Sequence, residues 1–274
     1  MNIKSAIIDG ASILKRKFIG SANLDSEILM AEAIKKKREF LILNSNFTID
    51  KKDLKIFYKL IKKRSTREPI AYITNKKSFW NSEFFVTKDT LIPRPDTELI
   101  IENVLKFTKN KESLRILDIG IGSGCILLSI LKEKKNFYGT GIDISKKCLK
   151  ISKINAINLK VDHRLKLIKT DVDKFISSKY DLIVSNPPYI VKKKLKYLDR
   201  DVVKYEPTQA LNGGIDGLSE IRKVINKSSE LIKKKGRLIL EIGFDQKNKV
   251  INLLNKEGFY INNIYKDLAD NDRC

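Results

Sequence analysis

Histidine and cysteine are scarce in this chain of 274 residues, which contains one histidine, His163, and three cysteines. Cys125, Cys148 and Cys274 stand far apart, and their spacing matches no metal-binding motif. A single histidine also leaves little for a histidine-based metal site or a nucleophile–histidine pair. These absences favour a reduced, cytoplasmic protein without a metal.

Long apolar runs are missing as well. No run approaches the ~20 residues needed to span a bilayer, and the first residues lack the apolar core and cleavage site of a signal peptide. We therefore expect no membrane partner. The hydrophobic content of 42% is enough for a substantial core, and the length predicts one large domain, or one domain with an appendage.

Acidic residues are few beside basic ones, since 33 Asp and Glu against 55 Lys and Arg give a formal net charge of +22. Such a charge can indicate a nucleic-acid partner. Lysine greatly outnumbers arginine, however, and Ile and Asn are abundant, which is typical of a genome with AT-rich codons. We favour this second explanation and expect no stable nucleic-acid partner and a monomeric protein.

The first part of the chain has helical periodicity. Residues 1–77 predict a small helical bundle without a catalytic constellation, whose role is either stabilisation or substrate docking. Aromatic and β-branched runs at Ile70–Thr74 and 79–86 then predict a β-hairpin. We assign the hairpin linker region to 78–90 and the catalytic domain to 91–274.

From Arg115 onward, short apolar runs alternate with helical stretches. This alternation predicts an α/β fold with a parallel, doubly wound sheet. The predicted strands are 115–119, 137–142, 165–170, 180–185, 237–242 and 259–265. The predicted helices are 124–132, 146–157, 217–234 and 246–256.

A glycine-rich turn follows the first of these strands. Its pattern is G-x-G-x-G at Gly120, Gly122 and Gly124, with Asp118 two residues before the first glycine. Glycine lets the backbone approach a ligand closely and expose N–H groups at the start of a helix. The spacing differs from the G-x-G-x-x-G of dinucleotide folds, so it favours a nucleoside cofactor without a pyrophosphate.

Polar residues also follow the next three strands. Asp143 is placed like the acid that binds ribose hydroxyls, Asp171 is placed to accept a hydrogen bond from an adenine amino group, and Asn186 follows the fourth strand. The carboxyl ends of parallel strands meet at one edge, where such folds bind ligands. Together with the glycine turn, these residues point to S-adenosylmethionine.

The stretch Asn186-Pro187-Pro188-Tyr189 predicts the catalytic groups. Two prolines stiffen the chain as it leaves the sheet. The stretch then offers a carboxamide, the free carbonyl of Pro187 and the aromatic face of Tyr189. Two acceptors suit the two hydrogens of a planar NH2 group, while an aromatic ring packs on the flat group behind it.

An arginine fixed between two prolines, Pro93-Arg94-Pro95, suggests a residue that borders the active site. Asp96 or Thr97 can cap the helix that follows. An ordinary helix entrance also explains this stretch, so the assignment of Arg94 to the substrate is one of two explanations.

At this point the chain resembles the protein-(glutamine-N5) methyltransferases that modify bacterial peptide chain release factors. The resemblance covers nearly the whole chain. Its signatures are Ile92-Pro93-Arg94-Pro95-Asp96-Thr97-Glu98, the 118–124 loop, Asn186-Pro187-Pro188-Tyr189, Glu206-Pro207 with Ala210-Leu211, and Asp216-Gly217-Leu218.

The resemblance implies a class I methyltransferase (Rossmann-like) fold with a small N-terminal helical domain. It implies methyl transfer from S-adenosylmethionine to the glutamine of a Gly-Gly-Gln loop in a release factor. It implies substrate contacts along Asn186-Pro187-Pro188-Tyr189. From the chemistry of that stretch we assign Asn186, Pro187 and Tyr189 as catalytic, and from its place between two prolines we assign Arg94 as a substrate contact. The implied cofactor contacts are Gly120, Ile121, Gly122, Ser123, Gly124, Asp143, Asp171, Val172 and Asn186, and the pattern of the glycine loop adds Asp118.

Two alternatives stay open at this point. An adenine amino-group methyltransferase acting on DNA or RNA would use the same Asn-Pro-Pro-Tyr geometry, and a basic RNA-binding module with a vestigial nucleotide fold would need no chemistry. One departure from the family also stands out: its chains continue past residues 270–273 into a final strand, whereas this one stops at Cys274. We therefore expect part of the sheet to be left uncovered.

Overall fold

The computed structural model describes residues 1–274, which divide into two compact units. The helical unit comprises Met1–Lys76 and Asp199–Tyr205, and the sheet unit comprises Lys77–Leu198 and Glu206–Cys274. The short segment 199–205 differs from the predicted boundaries, which assigned all of 91–274 to the catalytic domain. No helix combines the length and apolar character needed to cross a membrane.

The helical unit is built from amphipathic segments around one apolar core. Its first helix begins after Asn2, whose side-chain oxygen accepts a hydrogen bond from the Ser5 N–H at 2.8 Å and so caps the helix. Leu29, Met30 and Phe57 are fully buried in the core. The helices are α1 (Ile3–Lys15), α2 (Ala22–Ile34), α3 (Arg38–Leu43), α4 (Lys51–Ser65), α5 (Ile70–Thr74) and α9 (Arg200–Tyr205).

A buried arginine joins α2, α4 and α9 within this unit. The Nε of Arg64 lies 2.7 Å from Oδ2 of Asp25, and its Nη1 lies 2.6 Å from Oδ2 of Asp201. Both acids neutralise a guanidinium whose side chain is only 9% exposed. Because a buried charge without a partner is costly, Arg64 holds the segment 199–205 in the helical unit.

The predicted hairpin is wrong in its first strand. Residues 70–74 form helix α5, which begins after Pro69 and ends at Asn75 in the left-handed conformation with φ 57°. As a helix, the segment buries Tyr72 and Ile73. The hairpin strands are β1 (Lys76–Phe79) and β2 (Ser82–Phe85), so the hairpin lies earlier than the predicted 78–90.

The sheet unit is organised around five parallel strands in the order β5-β4-β3-β6-β7. The chain winds from β3 to β5 on one side and then returns to place β6 and β7 on the other. The crevice of such a fold lies at the carboxyl ends of β3 and β6, the neighbouring strands between which the winding reverses. The strands are β3 (Arg115–Ile119), β4 (Tyr138–Asp143), β5 (Leu165–Lys169), β6 (Tyr180–Ser185) and β7 (Ile232–Leu240).

Helices cover this sheet, and its core includes the fully buried Leu117, Ile183 and Ile221. The predicted α/β fold with a parallel, doubly wound sheet and an N-terminal helical domain is therefore confirmed. The helices of the sheet unit are α6 (Glu98–Phe107), α7 (Cys125–Glu133), α8 (Lys146–Asn158), α10 (Ser219–Leu231) and α11 (Lys247–Lys256).

The sixth predicted strand, 259–265, is absent. Instead, the Tyr265 N–H donates to the Cys274 carbonyl at 2.7 Å, and the Tyr265 carbonyl accepts from the Arg273 N–H at 2.9 Å. These bonds fold the C-terminal segment back on itself. It adds no strand beside β7, although its Arg273 carbonyl accepts from the Ile242 N–H just past β7 at 2.9 Å. Strand β7 therefore forms one edge of the sheet.

Candidate active site

Parallel register brings the ends of neighbouring strands together. Ile119 of β3 pairs with Ile142 of β4 and with Ser185 of β6, and Ser185 pairs in turn with Leu240 of β7. The residue that follows each of these paired positions therefore lies beside its neighbour at one edge of the sheet. The residues assembled there are Gly120, Asp143, Asn186 and Glu241.

The glycine loop forms one wall of this edge. Gly120 and Gly122 have φ of 76° and 56°, a left-handed conformation that favours glycine. A Cβ at Gly120 would have no heavy atom within 4 Å, and one at Gly122 would meet only the Gly120 carbonyl oxygen at 3.9 Å. The loop thus presents an open concave surface.

The backbone N–H groups of this loop are largely used within the protein, contrary to the prediction that they are exposed. Those of Gly120 and Ile121 donate to the Ile142 carbonyl at 2.9 and 3.0 Å, and that of Gly122 donates to Oδ2 of Asp143 at 3.0 Å. These bonds fix the loop to strand β4. A ligand meets its open surface rather than a ring of free donors.

Asp143 is fixed at the end of β4. Its Oδ2 accepts from Gly122, and its Oδ1 accepts from the Ser145 N–H at 2.8 Å. Burial raises the pKa of Asp143, and the two N–H groups oppose that rise. A carboxylate has about four acceptor sites, so it retains capacity to accept hydrogen bonds from ligand hydroxyls.

Asp171 and Val172 follow β5. Asp171 caps a short 3-10 helix, Val172–Lys174, because its Oδ1 accepts from the Asp173 N–H at 3.1 Å. Its Oδ2 makes no hydrogen bond within the protein. Val172 adds an apolar surface that is 9% exposed.

A cavity of about 630 Å³ lies over these strand ends, within the ~300–1,000 Å³ of typical ligand sites. It brings together most of the predicted site residues. Its lining includes Arg94, Gly120, Ile121, Gly122, Ser123, Asp143, Asp171, Val172, Asn186, Pro187 and Pro188. Asp118, Gly124 and Tyr189 lie outside the lining.

Asp118 lies beneath the loop, with 1% of its surface exposed and no hydrogen bond to either carboxylate oxygen. Burial raises the pKa of Asp118 to about 7, and the charge of Asp143 adds to the rise. Gly124 has φ 85°, and a Cβ there would lie 2.7 Å from Cδ1 of Leu128. Both residues support the loop from behind.

The Asn186 carboxamide is oriented by Thr97. Its Nδ2 donates to Oγ1 of Thr97 at 3.1 Å, which leaves Oδ1 as the acceptor of a half-buried side chain on the cavity. The carbonyl of the neighbouring Pro187 accepts none of the backbone hydrogen bonds of this loop. The two predicted acceptors are therefore both present at the rim.

Glu241 lies behind this rim and was missed by sequence reasoning. It is 1% exposed; its Oε2 accepts from the Thr97 hydroxyl at 2.7 Å, and its Oε1 accepts from the Tyr189 hydroxyl at 3.3 Å. Burial raises the pKa of Tyr189, and the charge of Glu241 adds to the rise. The sequence feature that could have identified Glu241 is its position as an acidic residue directly after the apolar end of β7.

Arg94 lines the cavity but is already paired. Its Nη2 lies 2.5 Å from Oε1 of Glu206, whose Oε2 accepts from the Ile92 N–H at 3.3 Å. The Glu206 side chain is only 2% exposed. This pair fixes the rim next to the cavity, and sequence reasoning assigned no role to Glu206.

Two family models match separate stretches of the chain: residues 5–74 match the PrmC N-terminal domain, and residues 95–214 match the methyltransferase small domain. The release factor glutamine methyltransferase of Clostridium acetobutylicum is 40% identical, over 100% of this chain and 97% of that protein. The enzymes with the same name from Clostridium botulinum and Buchnera aphidicola subsp. Acyrthosiphon pisum are each 38% identical over 100% of this chain, and over 98% and 97% of their own lengths. The chain belongs to the release factor glutamine methyltransferase family.

The family named from the sequence motifs is thus confirmed. The two matches correspond to the two units of the structure. The first match lies within Met1–Lys76 of the helical unit, and the second lies for the most part in the sheet unit and includes the glycine loop and Asn186. The second match ends at residue 214. Glu241 therefore lies outside the stretch that the family model describes.

Proposed function

We propose that this protein transfers a methyl group from S-adenosylmethionine to the side-chain amide nitrogen of the glutamine in the Gly-Gly-Gln loop of a peptide chain release factor. The observation that carries this proposal is the orientation of Asn186, whose Nδ2 is held by Thr97 while the side chain lines the cavity. Family membership supports the same substrate.

The cavity fits the cofactor. Open space over Gly120 and Gly122 is where a ligand packs against the loop, and Asp143 retains acceptor sites for ribose hydroxyls. Asp171 has Oδ2 available for an amino group. S-adenosylmethionine supplies a methyl group that is activated by its positively charged sulfur.

The chain's own residues bind and orient the nucleophile. An amide nitrogen is a poor nucleophile because its lone pair is delocalised into the carbonyl. Oδ1 of Asn186 and the Pro187 carbonyl each accept one N–H, which fixes the nitrogen and favours an electron-rich, more pyramidal geometry. Orientation of this kind contributes up to ~7–11 kcal/mol in favourable cases. The proton lost from the nitrogen passes to water.

Tyr189 remains the proposed support of the amide plane, although it lies outside the cavity lining. Its hydroxyl is anchored on Glu241, which fixes the ring. Arg94, paired with Glu206, is proposed to contact the substrate through its outer face, because its side chain is 35% exposed.

The helical unit is the proposed docking element for the release factor. Its surface carries large apolar side chains in solvent, with Phe18 87%, Ile42 73% and Leu43 82% exposed. We further propose that the enzyme acts as a monomer in the cytoplasm, without a stable nucleic-acid partner.

Labelled methyl transfer from S-adenosylmethionine tests the function. The acceptors are a purified release factor, the same factor with the Gly-Gly-Gln glutamine changed to alanine, and unmodified DNA and RNA. We expect label in the intact factor only. Label in nucleic acid, with none in the factor, would support the adenine-directed alternative, and no cofactor binding at all would support a binding module.

A further inference from the structure

Hydrogen bonds between three side chains connect the buried Glu241 to the rim of the cavity. Thr97 donates its hydroxyl proton to Oε2 of Glu241 at 2.7 Å and accepts from Nδ2 of Asn186 at 3.1 Å. Thr97 is 2% exposed and Glu241 is 1% exposed. The connection is therefore shielded from water, which would otherwise satisfy either side chain in any orientation.

We propose that Glu241 acts through Thr97 as a positioning residue: while ionised, it keeps the oxygen of the Asn186 carboxamide on the substrate side. This inference rests on the proposed methyl transfer, in which that oxygen accepts a substrate N–H. It assigns roles to Thr97 and Glu241 in addition to those of the Asn-Pro-Pro-Tyr stretch.

The chemistry of the three side chains determines which one donates and which one accepts in each hydrogen bond. An ionised carboxylate only accepts hydrogen bonds, so the single hydroxyl proton of Thr97 must point to Glu241. The hydroxyl then offers only lone pairs to Asn186. The NH2 group of Asn186 can donate to these lone pairs. The carboxamide oxygen of Asn186 could not, because two oxygens would then face each other without a proton between them. The reversed carboxamide is excluded as long as Glu241 is charged.

The same carboxylate holds the second element of the rim. Its Oε1 accepts from the Tyr189 hydroxyl at 3.3 Å, so both oxygens of Glu241 bind residues that adjoin the substrate. Strand register explains how one acid reaches both: Ser185 of β6 pairs with Leu240 of β7, and the Glu241 N–H donates to the Ser185 carbonyl at 3.0 Å.

Several charged and titratable groups surround Glu241. Burial raises the pKa of Glu241 to about 7; the hydrogen bonds from Thr97 and Tyr189 and the charge of Arg273 oppose the rise, and the charge of Asp96 adds to it. The thiols of Cys125, at the start of α7, and Cys274 also face this charge, and their pKa values are raised mainly by burial.

Protonation of Glu241 allows the hydrogen bonds between Glu241, Thr97 and Asn186 to reverse direction. A neutral Glu241 carries an O–H that can donate to the Thr97 oxygen, and the Thr97 proton is then free to donate to Oδ1 of Asn186. The carboxamide can now turn its NH2 toward the substrate, where it no longer accepts an N–H. Turnover should therefore fall as the pH drops through about 7, with cofactor affinity little changed.

Thr97→Val tests the inference because it removes the hydroxyl and keeps the shape. We expect kcat on the release factor to fall about 100-fold, as for misplaced catalytic groups, with the Kd for S-adenosylmethionine unchanged. Thr97→Ser retains the hydroxyl and should recover most of the lost turnover. Thr108→Val is the matched control, because Thr108 is also buried and bonds the Val104 carbonyl at 2.7 Å, so it should change stability but not kcat.

Two further measurements separate positioning from damage to the fold. Glu241→Gln should lower kcat and remove the acid limb of the pH–rate profile. In the wild-type protein without cofactor or substrate, the side-chain NH2 resonances of Asn186 should titrate with Glu241. Wild-type transfer with unchanged kcat in Thr97→Val would overturn this inference alone, whereas no wild-type transfer to the factor would refute the proposed function.

Discussion

Substitution of alanine at Gly122 and at Gly124 probes the proposed cofactor cavity with a matched pair. Both glycines have positive φ, 56° and 85°, so both variants carry backbone strain. Their new methyl groups differ in direction: at Gly122 the Cβ enters open space at the cavity, and at Gly124 it lies 2.7 Å from Cδ1 of Leu128. One change should therefore affect the ligand, and the other should affect the fold.

The expected magnitudes follow from these contacts. A left-handed alanine costs ~1–2 kcal/mol, partly offset by the ~0.4–1 kcal/mol gained by restricting the unfolded chain. Gly122→Ala should thus lower the free energy of unfolding by about 1 kcal/mol. At Gly124, overpacking against Leu128 adds ~1–3 kcal/mol. One methyl group in a ligand site changes affinity about 10- to 200-fold.

Calorimetric titration with S-adenosylmethionine and urea unfolding provide the two readouts. Gly122→Ala should bind the cofactor about 10- to 200-fold more weakly and lose only about 1 kcal/mol of unfolding free energy. Gly124→Ala should lose more stability and less affinity. Wild-type affinity in Gly122→Ala, or the larger loss of affinity in Gly124→Ala, would show that the space over Gly122 is not the cofactor site.

Three further variants test other parts of the structure. Asn186→Ala should lower kcat about 10²- to 10³-fold with little change in the Kd for S-adenosylmethionine, and an equal loss in both would refute its role as substrate acceptor. Asp143→Ala should raise that Kd about 10- to 100-fold, because hydrogen bonds to charged groups contribute ~1.5–3 kcal/mol; unchanged calorimetric affinity would contradict the assignment. Arg64→Ala should lower the free energy of unfolding by ~3–5 kcal/mol because the buried Asp25 loses its ionic partner. The control Arg38→Ala removes an exposed pair with Glu27 and should cost at most ~1 kcal/mol; equal effects would argue against the buried network.

Local sequence patterns predicted the fold and most of the cavity. The glycine loop, Asp143, Asp171 and Asn186 each stand at or just after the end of a strand whose apolar run is evident in the sequence. Parallel strands bring their ends together without further information. The predicted residues outside the cavity lining, Asp118, Gly124 and Tyr189, belong to the same sequence motifs as the lining residues. Only the course of the backbone distinguishes a residue on the cavity from one behind it.

The errors came from contacts between distant parts of the chain. Residues 70–74 have strand-like composition, but burial of Tyr72 and Ile73 in a helix overrode it. The segment 199–205 belongs to the helical unit because Arg64 binds Asp201, which is 137 residues away. Glu241 reaches Thr97 across 144 residues. No local periodicity encodes such pairs.

The charge distribution around the cavity favours a protein glutamine over a nucleic acid as substrate. The whole chain has a net charge of +22, but this excess of positive charge does not extend into the cavity. Its lining has basic and acidic residues in similar number: Lys88, Asp89, Arg94, Asp143, Asp171, Glu220 and Lys223. Arg94 is paired with Glu206, and Lys223 is paired with Glu220 at 2.9 Å. A nucleic acid that extruded a base here would bring phosphates to a rim where these two cations are already neutralised, although phosphate contacts supply most of non-specific binding. A neutral carboxamide requires only hydrogen-bond acceptors, which is the role that we propose for Asn186 and Pro187.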